Sequence, residues 1–284
     1  MNFAREPAVS GMFYPDNPTK LQNDIESYLR NTIVPDLEED VVGMISPHAG
    51  YMYSGQVAAY GYRTIEKKQY DTVILIGPSH RAYFNGVALW DRGTFETPLG
   101  AVNIDEEIAR EIIDINGIVK PNTDTHRGEH SLEVQLPFLQ SVLDGFKIIP
   151  LIMGIQTSSA CQELVQSISH VFLASKKKFL IVGSTDLSHY YPYADAKKLD
   201  GVIVGHLGAF NITGIIEDIE TGKTEACGAG PVIATMMLSE KLGADHCRVL
   251  KYVNSGDVSG DKSGVVGYVS AVFYRKQQNE RGNP

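Results

Sequence analysis

The run TVILIG at residues 72–77, followed directly by PSHR, decides the fold class. A continuous run of β-branched and apolar residues is typical of a strand that is buried on both faces of a parallel sheet. Comparable runs occur at residues 41–46, 148–153 and 179–183, with amphipathic stretches between them. Strands that alternate with helices indicate an α/β protein with a mainly parallel central sheet flanked by helices.

Helices are predicted between these strands. The first begins at Asn17, a good N-cap residue, with Pro18 at the first helical position. Pro137 lies inside a helical stretch and predicts a kink or a split there. The other predicted helices cover residues 54–65, 105–116 (ended by Gly117), 131–143, 194–210 and 231–242, and two last strands cover 248–254 and 265–274. Because no repeat or linker interrupts the pattern, we expect residues 1–284 to form a single domain.

The composition excludes several classes of protein. The chain has 284 residues, of which 43% are hydrophobic and 21% charged, as in an ordinary globular protein. Its net charge of −9 argues against nucleic-acid binding, which needs a concentrated basic surface. No apolar run approaches the roughly 18 residues of a membrane span, and residues 1–11 lack the apolar segment of a signal peptide. We therefore expect a cytoplasmic protein, in which the three cysteines form no disulfide framework.

Three of the eight histidines directly follow predicted buried strands. They are His48, His80 and His189, and in such a sheet the carboxyl ends of the parallel strands form the ligand site. Imidazole is the commonest metal ligand in proteins. The sequence therefore predicts a metal site built on His48 and His80 with His189 beside it, although each histidine taken alone could be an ordinary loop or capping residue.

Two histidine ligands need a third protein group, for which Asp186, Glu225 and Cys227 are the candidates. Cys227 lies among small residues, just before a helix that is predicted to begin at Pro231. A helix N-terminus favours a thiolate, which suits a metal ligand or a nucleophile. The alternative is a buried, inert cysteine. We expect that fate for Cys161 and Cys247.

A further polar cluster, HRGEHSLE, covers residues 126–133. Its spacing places His130 and Glu133 near the start of an amphipathic helix. Two roles are equally open: capping of that helix by Ser131 or His130, with Glu133 beside the helix dipole, or a place in the ligand pocket. The other histidines, at positions 170, 206 and 246, are expected to be structural or exposed.

Five motifs, in order along the chain, resemble the Memo family, which is called AmmeMemoRadiSam system protein B in microbes. They are PHAGY at 47–51, GPSHR at 77–81, EHSLEVQLPFL at 129–139, DLSH at 186–189 and the Cys227-Gly228 segment. The resemblance implies a fold like that of the class III extradiol dioxygenases, in which two histidines and one carboxylate hold non-haem Fe(II). It also implies that His48, His80 and Cys227 hold the metal. Asp186 and His189 would be the catalytic pocket residues, with His189 in the position of the acid/base histidine.

A thiolate in place of the dioxygenase carboxylate sets this chain apart from those enzymes. Two histidines and one thiolate suit Zn²⁺ or copper as well as iron. We therefore expect one transition metal ion, with Fe(II) as the first choice and Cu or Zn as alternatives. The resemblance further implies a partner in a radical-SAM pathway, while a homo-oligomer is left open.

Three functions fit these residues. The first is a non-haem metal-dependent redox enzyme that acts on a small substrate or O₂. In it His189 transfers a proton, and Asp186 orients His189. The second, implied by the resemblance to animal Memo proteins, is a non-catalytic adaptor that binds a peptide or handles metal in the same pocket. The third is a metal-free hydrolase or transferase with Cys227 as nucleophile, which makes less use of the two strand-end histidines.

Overall fold

The computed structural model describes residues 3–35, 40–115 and 117–276. The strands are β1 (Ala4–Arg5), β2 (Asp40–Ser46), β3 (Thr72–Pro78), β4 (Val87–Leu89), β5 (Thr94–Thr97), β6 (Gly100–Asn103), β7 (Val119–Pro121), β8 (Lys147–Met153), β9 (Phe179–Ser184), β10 (His189–Tyr191), β11 (His246–Asn254) and β12 (Val265–Arg275). The helices are α1 (Pro18–Arg30), α2 (Tyr51–Ile65), α3 (Glu106–Asp114), α4 (Thr123–Arg127), α5 (Leu136–Val142), α6 (Ser158–Ala174), α7 (Tyr193–Gly208), α8 (Ile212–Glu220), α9 (Ala229–Lys241) and α10 (Ser255–Ser259). A 3₁₀ helix, Glu133–Gln135, directly precedes α5.

The large sheet is parallel at its centre and antiparallel on its flanks. Its strand order is β10-β12-β2-β9-β3-β8-β4-β7, with β11 also paired to β12. The four central strands, β2, β9, β3 and β8, run parallel, whereas β12 against β2 and β4 against β8 are antiparallel. The predicted α/β class is confirmed, and its parallel part is this centre. Strands β11 and β12 pair antiparallel. Only a short segment joins them, and a parallel pair would need a longer crossover connection.

Register at the centre of the sheet places the predicted site residues at one edge. Ser46 of β2 pairs with Ser184 of β9, and Ile76 of β3 pairs with Gly183. The segments that follow these three strands therefore leave the sheet side by side. The central strands are buried over nearly their whole length, because helices such as α2 and α9 pack against them.

Several local predictions agree with the structure. The Asn17 side chain accepts a hydrogen bond from Lys20 N at the start of α1, as an N-cap does. The helix predicted around Pro137 is split into the 3₁₀ turn and α5, with the proline in the first turn of α5. Helix α2 begins at Tyr51, three residues before the predicted start. The predicted end of the third helix at Asn116 lies outside the described residues.

One sheet was not predicted. Strands β1, β5 and β6 form it, and β5 and β6 are joined as a short hairpin. The strands have two to four residues each, too short for a clear period-2 pattern. In the part of the chain that the structure describes, no helix is both long and apolar enough to span a bilayer.

Candidate metal centre

His48 and His80 meet at the carboxyl edge of the central sheet. Each follows its strand by two residues, and their ring centroids are 5.0 Å apart. His48 is buried, whereas 29% of the His80 side chain is accessible to solvent. One histidine of the pair is therefore in the protein interior, and the other is in contact with solvent. This arrangement suits a bound ion that exchanges ligands with solvent.

His130 completes a group of three histidines. Its ring centroid lies 5.4 Å from that of His48 and 4.6 Å from that of His80. One ring nitrogen from each histidine can be chosen so that all three lie within 4.8 Å of one another. The sequence leaves both helix capping and the pocket open for His130, and the structure places His130 in the pocket. The 126–133 segment reaches the strand ends because Ser131 Oγ donates to the carbonyl oxygen of Pro78 at 2.9 Å.

Cys227 lies against His48 and outside that compact group. Its Sγ is 3.1 Å from His48 Nε2 and accepts a hydrogen bond from Asp186 N at 3.2 Å. A Cβ at Gly228 would collide with the carbonyl oxygen of Ser184, so a glycine is needed for this loop to approach β9. Among the described residues, the compact donor group contains His48, His80 and His130 and does not include Cys227.

The thiol of Cys227 is not activated by the neighbouring helix in the metal-free protein. Burial and the nearby Asp186 carboxylate raise the pKa of Cys227 well above its ordinary value. The expectation that the helix N-terminus favours the thiolate is therefore wrong here, because burial raises the pKa of Cys227 by more than the main-chain hydrogen bond of Gly228 lowers it. The Cys227 thiolate would need the positive charge that a bound cation would supply.

Asp186 is directed at His48. Its Oδ1 accepts a hydrogen bond from His48 N at 2.9 Å, and its Oδ2 is 4.0 Å from His48 Nε2. Burial raises the pKa of Asp186 to about 7. The sequence predicts that Asp186 orients His189, but the His189 ring contacts the carbonyl oxygen of Leu187 instead, 2.8 Å from Nδ1.

Glu225, the other carboxylate candidate for the third ligand, is exposed at the mouth of the site. It accepts hydrogen bonds from Tyr191 OH at 3.2 Å and from His189 N at 3.4 Å. It does not belong to the compact donor group formed by the described residues. His126 is also apart from that group, buried with Nε2 3.1 Å from the carbonyl oxygen of Ala88.

Hydrogen bonding fixes the tautomer of His48. Ser184 Oγ donates its single proton to the carbonyl oxygen of Ser131 at 2.5 Å and accepts a hydrogen bond from Gln135 Nε2 at 2.9 Å. The remaining contact of Ser184 Oγ, 2.9 Å from His48 Nδ1, must therefore have the histidine as donor. His48 consequently presents the lone pair of Nε2, the atom that faces Cys227.

The same reasoning applies to His80 and His189. His80 Nδ1 lies 2.9 Å from Glu129 Oε1, and His189 Nδ1 lies 2.8 Å from the Leu187 carbonyl oxygen. The Leu187 carbonyl oxygen can only accept a hydrogen bond, and the Glu129 carboxylate can only accept one when it is ionised. Burial opposes that ionisation, but hydrogen bonds from the ring and the main chain of His80 lower the pKa of Glu129 to about 2. His80 and His189 thus also present their Nε2 lone pairs.

The donor set fits a transition metal ion. Burial, together with repulsion from His80 and His130, holds the pKa of His48 well below its usual value. Burial also lowers the pKa of His130 to about 4, although Glu129 opposes this shift. Both rings are therefore neutral at pH 7, as metal ligands must be. Neutral imidazoles with a nearby thiol suit Fe(II), Cu or Zn.

Comparison with known proteins identifies the family. Residues 5–272 match the family model described as "Memo-like protein". MEMO1 family proteins of Methanopyrus kandleri and Sulfolobus acidocaldarius are 38% and 37% identical, each over 95% of this chain and 99% of the relative. A solved structure of an uncharacterized protein from Escherichia coli K12 has a TM-score of 0.52 and 11% identity, and the match covers 82% of this chain and 99% of that one. That likeness shows the fold alone. The family-model match and the identity to these relatives show that this chain belongs to the Memo family.

Proposed function

We propose that this Memo-family protein is a non-haem metal-dependent redox enzyme that acts on a small substrate or O₂. The observation that carries the proposal is the group of His48, His80 and His130, with ring nitrogens within 4.8 Å of one another. Two of these rings present their Nε2 lone pairs because their Nδ1 atoms donate to fixed acceptors. Such preorganisation is what a metal site requires.

We further propose that His48, His80 and Cys227 hold the ion. The 3.1 Å between Cys227 Sγ and His48 Nε2 is close to the span of two ligands on one ion with bonds of about 2.0–2.3 Å. His130 is the alternative third ligand, which the compact nitrogen group favours.

Fe(II) is the first choice of metal, with Cu or Zn as alternatives. When bound, a redox-active ion supplies open positions for substrate or O₂ and a route for electrons between them. His189 acts as the acid/base, because its Nδ1 is committed to Leu187 and its Nε2 is free to accept a proton. Asp186 holds the main chain of His48 in place through the hydrogen bond from His48 N.

An adaptor function is the second candidate, and exposed apolar side chains favour it. Met52, Tyr83 and Tyr190 are 71%, 89% and 79% exposed. Each belongs to a segment that follows one of the strand ends at the site. Such side chains could contact a bound peptide, with the metal handled but not used in catalysis.

Nitric oxide, which binds open positions on Fe(II), tests the redox proposal. We expect anaerobic Fe(II)-loaded protein to give the electron paramagnetic resonance signal of an iron–nitrosyl complex, and His48→Ala to give none. Iron-loaded protein without that signal would have no open position. This result would contradict the redox proposal and leave the adaptor.

A further inference from the structure

Two buried glutamates in one segment have opposite surroundings. Glu133 forms an ion pair with Arg5, with 2.6 Å between Oε2 and the guanidinium nitrogen. Glu129, four residues earlier, has no lysine or arginine nitrogen within 4 Å of its carboxylate among the described residues. Arg5 reaches only its main-chain carbonyl oxygen. A buried carboxylate that lacks a permanent counter-charge is costly to keep and calls for an explanation.

The carboxylate of Glu129 contacts the metal centre instead. Its Oε1 is 2.9 Å from His80 Nδ1 and 3.3 Å from His130 Nδ1, and its Oε2 accepts a hydrogen bond from His80 N at 2.6 Å. Oε1 also accepts hydrogen bonds from the main-chain nitrogens of His130 and Ser131, each at 2.9 Å. One side chain therefore ties the His80 loop to the His130 segment, although the two are about fifty residues apart in sequence.

From this contrast, and resting on the proposed function, we propose that Glu129 is the positioning residue of the metal centre. It fixes the orientation and tautomer of His80, and it supplies the buried negative charge that a divalent ion at the histidines neutralises. A carboxylate behind a histidine ligand orients the ring and raises its basicity. Glu129 carries out this task for His80 and faces His130 as well.

The geometry makes Glu133 a matched control. Both carboxylates are almost completely buried, and both accept several hydrogen bonds. The bonds of Glu133 go to Arg5, Tyr14 and the main chain of the N-terminal segment, and among the described residues no histidine bonds to it. Removing either charge disturbs the fold, but only Glu129 has its carboxylate in direct contact with the ring nitrogens of His80 and His130.

The test compares Glu129→Gln with Glu133→Gln in the full-length chain. Zn²⁺ affinity is measured by competition with a chelator, the visible spectrum of the Co²⁺-loaded protein is recorded, and the melting temperature of the metal-free protein is determined. We expect Glu129→Gln to lower Zn²⁺ affinity about 10- to 100-fold and to change the Co²⁺ spectrum. Glu133→Gln should lower the melting temperature at least as much and leave Zn²⁺ affinity within about 3-fold, since removing one partner leaves Arg5 buried and unpaired.

Equal Zn²⁺ affinities in Glu129→Gln and Glu133→Gln would overturn the role of Glu129. If Glu129 were only structural, its replacement would lower stability, as replacement of Glu133 does, and would have no separate effect on Zn²⁺ affinity. Should Glu129→Gln not fold, Glu129→Asp keeps the charge and withdraws it by one methylene group. We expect that variant to lose Zn²⁺ affinity, and wild-type affinity in it would overturn the proposal. A wild-type protein that binds no metal would instead refute the proposed function, so the two failures are distinguishable.

Discussion

The Sγ atom of Cys227 lies 3.1 Å from Nε2 of His48, the ring nitrogen that carries no proton. This contact joins the loop before α9 to the end of β2, 179 residues away in sequence. It makes the thiol a neighbour of any ion that His48 binds. The thiol is protonated without that ion, because burial and Asp186 raise its pKa.

Replacing the thiol should weaken and alter metal binding. We expect Cys227→Ser to lower Zn²⁺ affinity at least about 10-fold and to remove the sulfur-to-metal charge-transfer absorption of the Co²⁺ form, since a hydroxyl is a poor substitute for a thiolate. The effect should exceed that of His130→Ala. Cys247→Ser is the control, because Cys247 lies in β11, is separated from β2 by β12, and is level with Gly43, five residues before His48. A Cys227→Ser protein that binds like this control would leave His130 as the third ligand.

His48 belongs to both candidate ligand sets, and its removal should have the largest effect. We expect His48→Ala to lower metal affinity by about 100-fold or more, because it removes the buried donor that both candidate ligand sets share. Chelator competition measures the change. His170→Ala is the matched control, as that histidine is exposed on α6. Retained affinity in His48→Ala would remove the basis for a site at this sheet edge.

His189→Ala should separate metal binding from turnover. The ring is held by Leu187 and lies outside the compact donor group of described residues. We therefore expect the variant to fold and to keep its metal content, while turnover of a substrate, once one is identified, falls about 10²- to 10⁴-fold. A folded protein that has lost its metal would show that His189 is itself a ligand.

His126 should make the stability of the fold depend on pH. Burial lowers its pKa to about 3, and its Nδ1 has no hydrogen-bond partner among the described residues. The unfolded chain, with an ordinary histidine pKa of about 6.5, binds this proton at a higher pH than the folded protein does. The contribution of His126 to stability is therefore fully present above pH 6.5 and is lost as the pH falls from about 6.5 toward 3.

Urea unfolding of His126→Phe at pH 4, 5, 6 and 7 tests this contribution. The slope of the unfolding free energy against pH should fall by up to about 1.4 kcal/mol per pH unit within that window. Phenylalanine suits the site, because the His126 ring packs edge-on against Trp90 and Phe95. An unchanged slope would mean that His126 does not titrate differently on folding.

The sequence was sufficient to predict the centre of the sheet and the residues that leave it. Strands β2 and β3 have apolar runs that end in histidine-bearing loops, so His48 and His80 could be placed together from one rule about parallel sheets. His130 could not be placed in the same way. Its position depends on a contact between Ser131 and Pro78, which are far apart along the chain.

Two other differences have physical causes that the sequence does not display. The thiol of Cys227 was expected to ionise beside a helix, but its burial could not be read from flanking glycines and alanines. Asp186 was expected to orient His189, only three residues away. The Asp186 side chain instead points inward and accepts a hydrogen bond from His48 N. In the loop after β9, Leu187 is buried and His189 is partly exposed, so the two polar side chains point in different directions.

Metal analysis tests the central claim most directly. The protein is purified anaerobically without a metal-affinity tag, and its metal content is measured by mass spectrometry beside the double variant His48→Ala, His80→Ala prepared in parallel. The account predicts one transition metal ion per wild-type chain, with Fe(II) as the first choice, and none in the folded double variant. Equal metal content in the two proteins, or no metal in the wild type even after loading with Fe(II), Cu or Zn, would contradict it.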